Sequence, residues 1–158
     1  MPQSYTSCHY HVTFATKNRK PYIAPDLQKR LYPYIGGIVR ESDGELLTVG
    51  GTADHTHLLF RLHPSRALAT VVRDIKACSS KWVHETFAER AEFRWQPGYG
   101  GFTVSYSGLD TVRAYIAHQE EHHRKLSFDE ELQRLCARHN IPFDLGAGTP
   151  TESGSTSA

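Results

Sequence analysis

Residues 46–62 read LLTVGGTADHTHLLFRL. LLTVGG and HTHLLFRL are rich in apolar and β-branched residues, and only the short TADH region joins them, so the pair reads as two strands of a hairpin. Along a strand, positions i and i+2 share a face. His55 and His57 therefore stand side by side, while Thr56, Leu58, Phe60 and Leu62 turn the other way. The second set is sheet core. The first places two imidazoles where one metal ion can be held against a sheet whose opposite face is packed.

The flanking sequence fills in an α+β chain. YTSCHYHVTFAT (5–16) reads as a strand, followed by the basic segment KNRK (17–20). From Pro25 to about Arg40, Leu27, Leu31, Ile35, Ile38 and Val39 recur near helical spacing, with Pro33 expected to kink or interrupt the helix. HPSRALATVVRDIKACSSKWVHETF (63–87) is the longest helical pattern, with Ser65 as its expected cap and Arg66, Arg73, Lys76 and Lys81 along it. AERAEFRWQPGYGG (88–101) is an irregular loop and FTVSYS (102–107) a fourth strand. Ser107 with Asp110, and Ser127 with Glu130, form capping-box patterns ahead of two further helices, GLDTVRAYIAHQEEHHRK and FDEELQRLCARH. Phe128, Leu132, Leu135 and Cys136 are the expected buried stripe of the last. The acidic run 129–131 reads as a helix start complementing its dipole.

This order predicts a ferredoxin-like βαββαβ core, an antiparallel sheet with helices on one face, and two C-terminal helices after it. The other face is then free for His55 and His57. Residues 1–144 form one expected domain, and the small, polar segment 145–158 an expected disordered tail.

With 158 residues, 39% hydrophobic and 22% charged, the chain has the totals of a soluble globular protein. A net charge of +1 leaves any nucleic-acid binding to local patches. Three cysteines without metal-type spacing fit a reducing compartment. No signal core or 18-residue apolar run occurs, so a cytoplasmic location away from membranes is expected.

Two imidazoles do not complete a metal site. In RAYIAHQEEHH, Tyr115 and Gln119 are four apart on one helical face, with His118 and His122 close by. That helix offers a phenol and an amide oxygen together. Two neutral histidines and a carbonyl oxygen suit Mg²⁺ or Mn²⁺ at a phosphate-handling site. A phenol beside such an ion can act as a nucleophile on a phosphodiester.

The constellation resembles the single-tyrosine HUH transposases of insertion-sequence-200 type, including their repeat-associated tyrosine transposase relatives. The matching stretches are YHVTFATKNRK, DHTHLLF, DIKACSSKW, FRWQPGYGGFTVS and VRAYIAHQEEHH, spread over roughly residues 5–143. The resemblance implies that His55, His57 and Gln119 hold the metal and that Tyr115 is the catalytic nucleophile. It implies cleavage of single-stranded DNA near end hairpins, a 5′-phosphotyrosine intermediate, a free 3′ hydroxyl that later rejoins strands, and no organic cofactor. It also implies a homodimer in which the tyrosine helix can dock on the partner's histidines. One departure stands out: the middle residue of the histidine motif is usually bulky and hydrophobic, and here it is Thr56. Its side chain points away from the metal side, so little damage is expected.

Bland readings compete throughout. Strand histidines are often only hydrogen-bonded. His9 and His11 share the same spacing and are read as structural neighbours of the site, with a zinc site built on Cys8 as the alternative. Lys17, Arg19, Lys20, Lys76 and Lys81 are candidate DNA-backbone contacts, or else solvated charges. Trp95 and Phe102 stack on bases or pack the core, and Tyr99 and Tyr106, the alternative nucleophiles, are read as packing or stacking residues. His118, His122 and His123 read as a solvated or phosphate-contacting cluster rather than ligands. The rival functions are a non-catalytic single-strand binder, a domesticated HUH nickase acting on genomic repeats, and a zinc hydrolase indifferent to Tyr115→Phe.

Overall fold

In the computed structural model, which describes residues 3–123 and 125–143, the hairpin forms as β2 (Gly44–Gly51) and β3 (His55–Leu62). The tail expected at 145–158 lies outside those residues. The first strand is β1 (His9–Ala15), and the chain continues through α1 (Pro25–Glu41), α2 (Leu68–Thr86), β4 (Gly100–Val104), α3 (Leu109–Ala117), α4 (Gln119–His122) and α5 (Phe128–Arg138). The strands lie in the order β2-β3-β1-β4, every pair antiparallel. This is the ferredoxin-like arrangement expected from the element order.

The pleat sorts β3 as its sequence requires. Leu58, Phe60 and Leu62 join Val12 and Phe14 of β1 in a core capped by Leu27, Leu31, Ile35 and Val39 of α1 and Val71, Val72, Ile75 and Val83 of α2. His55, His57 and Leu59 face the other side. That second face is not open. Leu59 packs under Leu109 and Ile116 of α3, and Phe102 packs under Leu135 and Cys136 of α5. The expected free sheet face is thus covered by the C-terminal helices, and both imidazoles are fully buried.

Several local expectations shift. Pro33 does not interrupt α1, because it sits on the exposed side, where water can satisfy the carbonyl one turn back that loses its partner. Ser65 does not cap α2. Ala67 holds the cap position, and the Ser65 hydroxyl bonds the His63 ring instead, at 2.6 Å. The box expected from Ser107 and Asp110 does not form either, since Tyr106–Gly108 make a 3₁₀ turn that leads into α3 with no side-chain cap. The fourth strand starts and stops earlier than read, at Gly100 and Val104. At α5 the expectation holds: Ser127 Oγ accepts from the Glu130 amide at 3.2 Å. Phe128, Leu135 and Cys136 are buried as read, and Leu132 is half-buried.

The helix expected over 108–125 breaks in two at His118, whose φ/ψ of −104°/23° ends α3 and opens α4. Gly50 of β2 sits directly beneath this layer. A Cβ there would lie 2.7 Å from the Ile116 carbonyl oxygen and 2.9 Å from its Cγ2. Only glycine lets α3 come this close. Gly50→Ala should therefore push back the turn carrying Tyr115 and destabilise the chain by about 1–3 kcal/mol. Urea unfolding, with Gly37→Ala as a comparison where a Cβ meets nothing within 4 Å, measures the difference.

Candidate functional site

The register of the sheet sets His57 of β3 opposite Thr13 of β1 and Gly50 of β2, so its ring rises between small neighbours. Both imidazoles are held from behind. His55 Nδ1 meets Asp54 Oδ1 at 2.7 Å and Thr52 Oγ1 at 2.9 Å. With its Nδ1–H given to that carboxylate, the lone pair on Nε2 points into the site, the usual preparation of a metal-binding histidine. His57 Nδ1 meets His11 Nε2 at 2.8 Å. His11 can donate or accept there, and so sets which tautomer His57 presents. His11 is thus the structural neighbour expected from its spacing. Cys8 and His9 lie outside the metal-competent cluster, and the His9 ring meets Ser7 instead, at 3.3 Å.

On the front of the imidazoles, the break at His118 turns Gln119 inward until it is 1% exposed. Its Oε1 lies 3.2 Å from His55 Nε2 and 3.1 Å from His123 Nε2. Tyr115, one turn earlier on α3, is half-buried with its ring 5.8 Å from that of His57. The amide expected on this helical face meets His55, and the phenol ring lies beside His57, within a single chain.

One member of this site, Glu131, is not marked by the sequence, and another, His123, reads there as a solvated or phosphate-contacting residue rather than a ligand. Glu131 of α5, 1% exposed, stands at its centre. Its Oε1 is 2.7 Å from His57 Nε2, 3.2 Å from His123 Nε2 and 3.6 Å from His55 Nε2, and its Oε2 accepts the hydroxyl of Tyr115. The acidic run 129–131, read as a dipole-complementing helix start, sends one member into the site. A signal for this was present: Glu131 falls three residues after Phe128 and four before Leu135, on the buried stripe. His123 carried a weaker one, four residues after Gln119. It is half-buried and part of the site, whereas His118 and His122 are exposed.

Burial works against the Glu131 carboxylate, yet hydrogen bonds from His123 and His57 and the charge on His57 hold it well below the ordinary range. Burial first, then the Glu131 acceptor, push the Tyr115 phenol up. Burial lowers His57 despite Glu131, while His123, against its own burial, is raised by its bond to Glu131. These donors suit a divalent ion. One atom from each of His55, His57, His123 and Glu131 lies within 4.8 Å of the others. Adjacent ligands of an octahedral ion sit about 3 Å apart.

Beside the site, the 3₁₀ turn Lys17–Arg19 sends Arg19 to two clefts, which also share Phe128 and Asp129. Arg19 adopts φ 56°, unusual for a bulky residue, and its guanidinium bonds Asp129 at 2.5 Å and lies 4.9 Å over the Phe128 ring. Lys17 and Lys20 are exposed on the same turn. Lys76 and Lys81 belong to α2, across the sheet. Lys76 donates to the carbonyls of Gln96 (2.6 Å) and Gly98 (2.8 Å), and Lys81 lies 3.8 Å from Glu85. The structure does not bring these two to the site. Trp95 packs edge-on against Phe14 and bonds Ser79 at 3.0 Å, and Phe102 is core, so packing accounts for both. Tyr99 and Tyr106 remain exposed, outside the site.

Comparison with known proteins gives this geometry its relatives. A family model described as "Transposase IS200 like" matches residues 4–119. The ISDra2 transposase TnpA of Deinococcus radiodurans R1 is 24% identical over 117 residues, covering 71% of this chain and 84% of the relative. Among solved structures, a protein of Deinococcus radiodurans R1 assigned as a transposase superposes with a TM-score of 0.60 at 23% identity, over 75% of this chain and 96% of the other. A REP-associated tyrosine transposase bound to a REP hairpin superposes with a TM-score of 0.58 at 17% identity, over 78% and 73%.

The imidazole behind His57 has a measurable consequence. Burial, reinforced by His57, lowers His11 from 6.5 to about 3. Its unfolded form binds a proton that the folded form refuses, so its contribution is intact above about pH 6.5 and is lost as the pH falls toward 3. His11 alone should give the metal-free protein a stability slope of up to about 1.4 kcal/mol per pH unit across that window. Chemical unfolding at pH 7, 6 and 5 should show the fall, and His11→Phe should flatten it.

Proposed function

Because the chain belongs to the IS200-like transposase family, we propose that it cleaves and rejoins single-stranded DNA through Tyr115, with Mg²⁺ or Mn²⁺ held by His55, His57 and Gln119. The observation that carries this is the meeting of the Tyr115 hydroxyl and the imidazole–amide cluster within one chain, bridged by Glu131. Two backed imidazoles and an amide oxygen fit a divalent ion, whose chemistry when bound is to offset charge on the phosphate and on the departing oxygen.

The chain's own groups supply the rest. Tyr115 holds its proton against Glu131 Oε2, the nearest acceptor when the phenol oxygen attacks phosphorus. The P–O3′ bond breaks with its electron pair going to O3′, which takes a proton from water, the 5′ phosphate stays on Tyr115, and the DNA leaves with a 3′ hydroxyl. Reversal by a 3′ hydroxyl rejoins strands with no organic cofactor. Lys17, Arg19 and Lys20 pair with DNA phosphates in this reading, which the place of Arg19 on both clefts supports. The hairpin in the REP-associated relative supports a hairpin end as the ligand. Tyr115 meets its own chain's histidines, which supports a site assembled in cis. A homodimer exchanging this helix would need Tyr115 to leave Glu131.

The test uses labelled single-stranded DNA bearing the end hairpins of the chain's own element, incubated with Mg²⁺ or Mn²⁺. The wild type should form a covalent protein–DNA adduct on a denaturing gel, and Tyr115→Phe should form none. His57→Ala should cut at least 100-fold more slowly while binding the hairpin within about threefold of wild type. Wild type that binds this DNA without ever forming the adduct would instead be a non-catalytic binder.

A further inference from the structure

We propose that His123 and Glu131 are two further ligands of the same cation, and that the completed set selects a transition metal of the Mn²⁺, Co²⁺ or Zn²⁺ class over Mg²⁺. The inference rests on a cation binding at His55 and His57. Both residues follow the segment that the family model matches, which ends at 119. They come from the turn after α4 and from α5.

Three observations converge. Glu131 Oε1 lies among three imidazole nitrogens, at 2.7, 3.2 and 3.6 Å from those of His57, His123 and His55. His123 Nε2 also faces Gln119 Oε1 at 3.1 Å, so the same atoms that meet His55 meet His123. And Glu131, an acid that almost never buries without a partner, is 1% exposed here. Without a cation, N–H groups of His57 and His123 satisfy Glu131. Once those rings give up their protons, the same atoms present converging lone pairs around one buried point, which a cation satisfies.

The composition of the set decides the metal. Two imidazoles and an amide leave half of an octahedron to water, which Mg²⁺ accepts. A third imidazole and a buried carboxylate replace two of those three waters with nitrogen and a charged oxygen, leaving one position open. Mg²⁺ keeps several waters and favours oxygen, whereas imidazole-rich sites favour first-row transition metals, with affinity rising from Mn²⁺ through Co²⁺. Glu131 also acts beyond the cation. Its Oε2 accepts the Tyr115 hydroxyl, so a carboxylate that would hold the cation through its other oxygen also positions the nucleophile.

The experiment is a Co²⁺ titration of the metal-free full chain, followed by visible absorption, with Mg²⁺, Mn²⁺ and Zn²⁺ as competitors. Wild type should show a saturable Co²⁺ band that Zn²⁺ abolishes, Mn²⁺ competes for, and a 100-fold excess of Mg²⁺ leaves in place. Glu131→Gln, which keeps the side-chain shape, and His123→Ala should each weaken Co²⁺ binding at least tenfold and change the band, while His118→Ala, on an exposed ring, should not. Wild-type binding by either variant, or displacement of Co²⁺ by equimolar Mg²⁺, overturns the assignment. Circular dichroism of the metal-free variants reports folding, and His123→Ala, at a half-buried position, decides the question if Glu131→Gln does not fold. Loss of Co²⁺ by both variants in a protein that forms no DNA adduct would leave the metal site standing and remove the reaction. An adduct with Co²⁺ binding untouched by either variant would do the reverse.

Discussion

A carboxylate buried among imidazoles on one face of a sheet is the constraint to which the rest of the site answers. Moving an unpaired carboxylate out of water costs several kcal/mol even after the protein relaxes. Glu131 escapes that cost only because His57, His123 and the Tyr115 hydroxyl all reach it. Each partner is itself tied down: His57 by His11, His123 by Gln119, and Tyr115 by its place on α3 one turn before the break. None of these groups can move alone without stranding another. The polar cluster therefore behaves as one unit, and its geometry is set more tightly than hydrogen bonds at a surface would set it.

The sheet divides this work cleanly. Its α1/α2 face carries the large aliphatic and aromatic core, where Leu58, Phe60 and Val12 are out of reach of water. Its other face carries two small apolar clusters, Leu59 with α3 and Phe102 with α5, with His11 registered between them. The first face supplies stability, and the second gives its area to chemistry. Glycine at 50 follows from the same shortage of space, because a methyl group there would strike the backbone that carries Tyr115.

Much of this was legible in the sequence, and the reasons differ by element. Period-two alternation in HTHLLFRL fixes the faces of β3 because the pleat leaves no other choice, and Ser127 with Glu130 announces a cap that forms. The helix break at His118 was not legible: no glycine or proline marks it, and what turns Gln119 inward is contact with the sheet. Pro33 misled in the opposite sense, since an isolated rule about lost hydrogen bonds ignores which side of the helix faces water. Glu131 was hidden by a sound local explanation. Acids at a helix start need no further reason to be there, so one that also sits on the apolar stripe is easily passed over.

That last case shows where local reading ends. Asp129, Glu130 and Glu131 are consecutive and chemically alike, yet one pairs with Arg19, one sits in the cap of α5, and one is buried against three imidazoles. Successive helical positions lie about 100° apart, so three adjacent acids must face three different environments. What distinguishes them is the direction in which α5 crosses the sheet, and that is set by Leu135 and Cys136 packing with Phe102 and by Phe128 seating against the His55 ring. The chemistry of the candidate site is therefore settled by hydrophobic packing on either side of the residue that performs it.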